Sequence, residues 1–326
     1  MNSRERFLET MRYGAPDRVP YLEEGLREGV LDLWRKQGLP RDKDFSQIFS
    51  FDKREEIEPD LDPRPDFSRW PTSRSDLNLF RRRLDPTDPK RLPTDWAARV
   101  QAWKTRDHIL TLWVHRGFFL SMGVRNWRRF TEVMLLLKTD PQFIHEAMAV
   151  RGQFSARLAE KVLEAVDIDA AVFVEPIGGN DGPLISPKMY EEFVLTHYEP
   201  ILDVVRRNGV ETIILLTFAN PRLLIPSVLK WGINCLWASE SNMETMDYRD
   251  LRREFGRNLR LIGGIDLDAL RRGKEAIKRE VEEKVPPLLE QGGYIPLADG
   301  RVREDVSFEN YTYYRKLLEK VTQEYQ

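Results

Sequence analysis

From about residue 109 onward, short apolar segments alternate with longer amphipathic ones, and this alternation constrains the fold more than any other feature. Residues 109–114, 170–174, 212–216, 234–238, 259–262 and 294–297 are mostly apolar and too short for helices. A strand that is apolar on both sides of its pleat is buried on both faces, as strands of a parallel sheet are. The intervening stretches 127–166, 186–208, 221–231, 250–255 and 273–291 have helical spacing and supply the cover. The pattern predicts an α/β fold, a single (β/α)8 TIM barrel. A doubly wound open sheet would carry a Gly-rich phosphate loop after its first strand, and Leu22-Glu23-Glu24-Gly25-Leu26 is not one.

The N-terminal third is less regular. Residues 5–11 read as a capped helix beginning near Ser3, broken by Pro16-Asp17-Arg18. A strand is expected at 19–22, running into Glu23-Glu24, and a helix at 27–37. Residues 40–105 are rich in proline and charge, with helical spacing only at 77–84 and 96–106. They are expected to form an insertion packing across one end of the barrel. A surface excursion with no role at the site is the plainer alternative.

Hydrophobic residues make up 41% of the 326, enough for one large core. Charged residues reach 32%, yet the formal net charge is only -2. Nothing in this balance points to nucleic acid or to a polybasic membrane patch. Cys235 stands alone, so no internal disulfide forms, and a polar start without a secretory apolar region makes the cytoplasm the expected compartment. No apolar run is long enough to span a bilayer.

In a (β/α)8 barrel the chemistry sits just beyond the C-terminal ends of the strands. Those positions here are rich in carboxylates. Glu175, Glu240 and Asp299 are the catalytic candidates, as acid and base groups whose environments would set their pKa values apart. Glu24, Arg116, Asn180, Asp181, Asp266 and Arg301 are the substrate-binding candidates. Each has a plainer reading. A loop carboxylate often caps the next helix, as Asp266 would in Gly263-Gly264-Ile265-Asp266, and Arg301 would simply pair with Asp299. His115 could face the site; His108, His145 and His197 read as structural. Cys235 reads as a small core residue. Whether a metal is bound stays open; an oxygen-ligand site, with His115 as a further donor, is one form it could take.

Several segments resemble the uroporphyrinogen decarboxylase superfamily. They are Arg4-Glu5-Arg6-Phe7 with Pro16-Asp17-Arg18-Val19-Pro20, the stretch Gly182-Pro183-Leu184-Ile185-Ser186-Pro187-Lys188-Met189-Tyr190-Glu191-Glu192-Phe193, Phe255-Gly256 followed by Gly263-Gly264-Ile265-Asp266, and Gly292-Gly293-Tyr294-Ile295. That superfamily holds porphyrinogen decarboxylases and corrinoid-linked methyltransferases, so the resemblance implies a barrel without fixing the reaction. Its porphyrinogen decarboxylases carry an arginine-rich N-terminal segment; the matching Glu23-Glu24-Gly25-Leu26-Arg27-Glu28-Gly29 is acidic. Its thiol-directed methyltransferases carry a His-x-Cys zinc pair where this chain has Leu216-Thr217-Phe218, and a third cysteine near Ala298-Asp299-Gly300. A Cys/His zinc site is therefore not expected.

The resemblance and its two departures imply a corrinoid-dependent methyltransferase that demethylates a small methoxylated substrate. The chain has no Asp-x-His-x-x-Gly cobalamin motif, so the corrinoid would arrive on a partner protein docking near the 40–105 insertion. A decarboxylase of a tetrapyrrole or other acid is the second reading, and a non-catalytic ligand-binding barrel the third.

Overall fold

The computed structural model describes residues 1–43, 45–241 and 244–325. The chain divides into two compact units. One comprises Met1–Arg54, Asp107–Ile109 and Cys235–Gln326; the other comprises Glu55–Arg106 and Leu110–Asn234. Its strands are β1 (Arg54–Ile57), β2 (Ile109–His115), β3 (Ala170–Glu175), β4 (Gly178–Gly179), β5 (Gly182–Pro183), β6 (Thr212–Phe218), β7 (Cys235–Ser239), β8 (Arg260–Ile262) and β9 (Tyr294–Ile295).

In the second unit, β3 runs parallel to both β2 and β6. Every residue of β3 is buried, as its unbroken apolar run requires. Burying Val172, Phe173 and Val174 is worth about 1.5–3 kcal/mol each, which offsets enclosing the carboxyl that ends the strand. The helices Trp127–Thr139 and Pro141–Leu163 fill the predicted 127–166 stretch and are separated at Asp140, whose side chain accepts from the Phe143 N–H. The stretch predicted at 186–208 is helical throughout but not uniform: Pro187–Tyr190 and Thr196–Arg207 flank a wide π turn, Glu191–Leu195.

In the first unit, β8 lies parallel between β7 and β9. Parallel bridges join Leu26 to Val302 and Ile265 to Ala298. The helix Ser3–Met11 starts with a capping box, Asn2 accepting from the Glu5 N–H and Glu5 from that of Asn2.

Two expectations are corrected, and three elements are added to those expected. Residues 19–22 form no strand: Pro20 has no N–H, and Tyr21 exchanges hydrogen bonds with Asp52, through its side chain and its backbone, instead of joining a ladder. The helix expected at 27–37 is shorter, Val30–Lys36, because Gly29 sits at φ 88°. The 40–105 stretch contains a strand, β1. Two helices go beyond expectation, Leu267–Arg272 and Phe308–Glu324, and the second buries Tyr311, Tyr314 and Arg315. Among the described residues no helix is long and apolar enough to cross a membrane.

Candidate active site

Asp299, in the first unit, is positioned by the chain just beyond β9. Its N–H donates to the Ile265 carbonyl at 2.8 Å, one residue past the Ile265–Ala298 bridge, so the backbone is pinned before the side chain turns. The residue is only 3% exposed. Its Oδ2 accepts the Ser241 N–H at 2.9 Å and the Ser241 hydroxyl. Its Oδ1 finds no hydrogen-bond partner among the described residues. Burial disfavours the anion and pushes the carboxyl up to about 7; the Ser241 donors oppose this, and the charges of Glu24 and Asp266 add to it. Asp299 lines a cavity of about 560 Å³ together with Glu240, Asp266, Asp268 and Arg303.

Glu24 belongs to the same unit. Trp237 Nε1 donates to its Oε1 at 2.8 Å and the Ser239 hydroxyl to its Oε2 at 2.7 Å. Burial raises its pKa, while those two donors favour the anion. Both oxygens are engaged, so Glu24 acts on Asp299 through its charge. Its neighbour Glu23 was not a candidate, yet it is nearly enclosed: Arg315 donates to Oε1 at 2.7 Å and Tyr314 at 3.3 Å, while Oε2 is unpartnered among the described residues. Both partners come from the Phe308–Glu324 helix, so no local pattern around Glu23 reveals the pair.

The remaining candidates of this unit have ordinary partners. Glu240 sits at φ 47°, a left-handed conformation unusual for a residue with a Cβ, and its half-exposed side chain pairs with Arg27. Asp266 caps the Leu267–Arg272 helix through the Asp268 N–H at 2.8 Å and holds Arg272 at 2.8 Å. Arg301 is exposed and does not serve as the partner of Asp299; that place belongs to Ser241, because Oδ2 turns toward the chain after β7. Arg303, which lines the cavity, is bonded to Asp268 at 3.1 Å.

Glu175, in the second unit, ends β3 and is fully buried. Its Oε1 accepts the Phe118 N–H at 2.8 Å; its Oε2 accepts the Tyr198 hydroxyl at 2.5 Å and the Tyr190 hydroxyl at 3.3 Å. Burial pushes it up to about 7 against these three donors. Tyr190 and Tyr198 are eight residues apart, which in a uniform α-helix leaves them about 80° apart around the axis. The π turn between them absorbs one residue and cuts this to about 20°, so both rings reach one carboxyl. Gly117 (φ 81°) completes the enclosure: a Cβ there would stand 2.7 Å from Glu175 Oε1.

His115 is also enclosed. Its Nδ1 accepts the Gly117 N–H at 2.9 Å and its ring lies against Tyr198. Burial, with Arg151 adding, holds it down to about 3, so it is neutral and its Nδ1 is taken. Arg116 bonds Asp62 at 2.6 Å. Asn180 and Asp181 are exposed at the tip of the β4–β5 hairpin. Thr217 stands opposite Glu175 in register, buried, with its hydroxyl unpartnered among the described residues. No group of three or more His, Cys, Asp or Glu side chains among the described residues is arranged to hold a metal ion.

The structure therefore brings Glu24, Glu240, Asp266 and Asp299 into one unit, with Glu240, Asp266 and Asp299 around one cavity, and puts Glu175, Arg116, Asn180 and Asp181 in the other. Ser241, Tyr190 and Tyr198 were absent from the candidates. A hydroxyl becomes functional by what it faces, and only the fold decides that.

Residues 121–313, more than half of the chain, match the uroporphyrinogen decarboxylase (URO-D) family, and the chain belongs to that family. No curated protein matches it.

Proposed function

We propose that this protein is a methyltransferase that moves a methyl group from a small methoxylated substrate to a corrinoid carried by a partner protein. The observation that carries the reading is Asp299: a buried carboxyl pushed up to about 7, with one free oxygen among the described residues, at a cavity. The corrinoid, when bound, supplies a reduced cobalt nucleophile for the methyl carbon. The ether oxygen leaves as a strong base unless it is protonated as the bond breaks. Asp299 holds that proton near neutral pH, and the Ser241 donors stabilise the carboxylate left behind. Glu24, fixed by Trp237 and Ser239, raises the affinity of Asp299 for its proton by like charge. Asp266 and Glu240 are expected to contact the substrate.

Membership of the URO-D family also supports a second reading, decarboxylation of a carboxylic acid. The cavity weighs against a polycarboxylate: carboxyls dominate its lining, and Arg303 is engaged by Asp268. The test is to mix the full chain with reduced corrinoid, free and protein-bound, and a panel of methoxylated compounds. Demethylated product coupled to a change in corrinoid absorbance supports methyl transfer. Carbon dioxide released from a porphyrinogen, with no demethylation of any donor, overturns it in favour of the second reading. Silence in both assays, with a small molecule recovered from the purified protein, overturns it in favour of a ligand-binding barrel.

A further inference from the structure

A second cavity, of about 450 Å³, lies in the second unit between the helices Leu77–Arg83 and Pro141–Leu163, which pack on each other. Its lining is two-sided. Leu84 and Phe154, both buried, form an apolar floor. Arg81, Arg82 and Arg157, all exposed, form a cationic rim. The carboxylate beside them, Asp85, already accepts the Thr87 N–H at 2.8 Å and its hydroxyl at 2.7 Å. Arg81 bonds only a neutral group, the Asn78 amide oxygen at 3.2 Å, and neither Arg82 nor Arg157 has a carboxylate partner among the described residues. By contrast, the exposed Arg99 and Arg207 are paired with Asp95 and Glu160. Three guanidiniums against one carboxylate leave this cavity positive on a chain whose net charge is -2.

We propose that this cavity binds a phosphate monoester carried on a flat apolar group. A phosphate monoester bears about -1.5 to -2 charge near pH 7 and three non-bridging oxygens, one for each guanidinium. Planar guanidinium forks match such an oxygen triangle better than ammonium groups do. A carboxylate offers two oxygens and a single charge. The apolar floor takes the ring that inorganic phosphate lacks.

The experiment is calorimetry on the full chain with 1-naphthyl phosphate, 1-naphthoate, 1-naphthol and inorganic phosphate. 1-Naphthyl phosphate is expected to bind at least about tenfold more tightly than each of the other three. The double substitution Arg82→Gln with Arg157→Gln is expected to weaken it by at least about tenfold while leaving the thermal midpoint unchanged, since both side chains are exposed. No binding of 1-naphthyl phosphate, equal binding of 1-naphthol or 1-naphthoate, or undiminished binding by the double variant would each overturn the proposal.

Discussion

The two units each enclose one carboxyl that burial pushes up to about 7, and the two carboxyls differ in everything else. Glu175 gives both oxygens to three donors and is sealed by Gly117, Tyr190 and Tyr198. Asp299 uses one oxygen on Ser241, and its other oxygen, itself buried, has no partner among the described residues, in a side chain that lines a cavity. Desolvation alone therefore does not mark a catalytic acid. The same shift serves structure where every lone pair is occupied and can serve chemistry where one is not. On this comparison Asp299 is the stronger catalytic candidate, and the expectation that Glu175 is catalytic becomes a hypothesis for mutation to decide.

The largest effect should come from Asp299→Asn. It keeps the size and the contacts with Ser241 but removes the transferable proton. Turnover is expected to fall by about 100- to 10,000-fold, with the circular dichroism spectrum unchanged. In the native protein, the proposed activity should decline as pH rises through about 7. A variant at full rate would place Asp299 beside Glu175 as a structural group.

Glu175→Ala should act on stability instead. It strands the Phe118 N–H and two tyrosine hydroxyls in a closed space, at a cost of about 3–5 kcal/mol by urea denaturation. Glu175→Gln keeps two acceptor sites and should cost less, about 1–2 kcal/mol. If Glu175→Gln folds normally yet loses turnover as Asp299→Asn does, the contrast between the two carboxyls fails.

A third expectation concerns pH. Both carboxyls have folded pKa values above their unfolded ones, 4.5 for Glu175 and 3.8 for Asp299. The folded state then holds protons that the unfolded state has released, so their contribution is fully present below about 4. It is lost as pH rises toward 7 and changes little beyond. Denaturation of Asp299→Asn across this range should show a shallower decline than the native chain; an equally steep one would remove Asp299 from the account.

The smallest effect is expected from Glu240→Gln. Its pair with Arg27 is exposed, so stability should change by less than about 1 kcal/mol. Turnover should change by less than about tenfold if Glu240 only contacts substrate. A loss as large as that of Asp299→Asn would restore it as a catalytic group.

The sequence by itself determined the α/β character and most of the strands, because the two-sided apolar runs at 170–174 and 212–216 have one way to bury themselves in a parallel sheet. It also showed Glu175, Glu240, Asp266 and Asp299 at or beyond strand ends and offered Asp266 as a helix cap, since capping is a local bond. It misplaced what depends on distant partners. Residues 19–22 look like a strand until Asp52, about thirty positions on, takes the Tyr21 N–H. Nothing near Glu23 in the chain points to its partner, Arg315, which the helix Phe308–Glu324 brings to it. Only the tertiary structure divided the two buried carboxyls into one with both oxygens hydrogen-bonded and one with an oxygen unpartnered among the described residues. Burial, lone-pair occupancy and cavity shape are properties of neighbours brought together in space, and the residues that set them here, Tyr190 and Tyr198 for Glu175 and Ser241 for Asp299, carry no signal of that role in the chain itself.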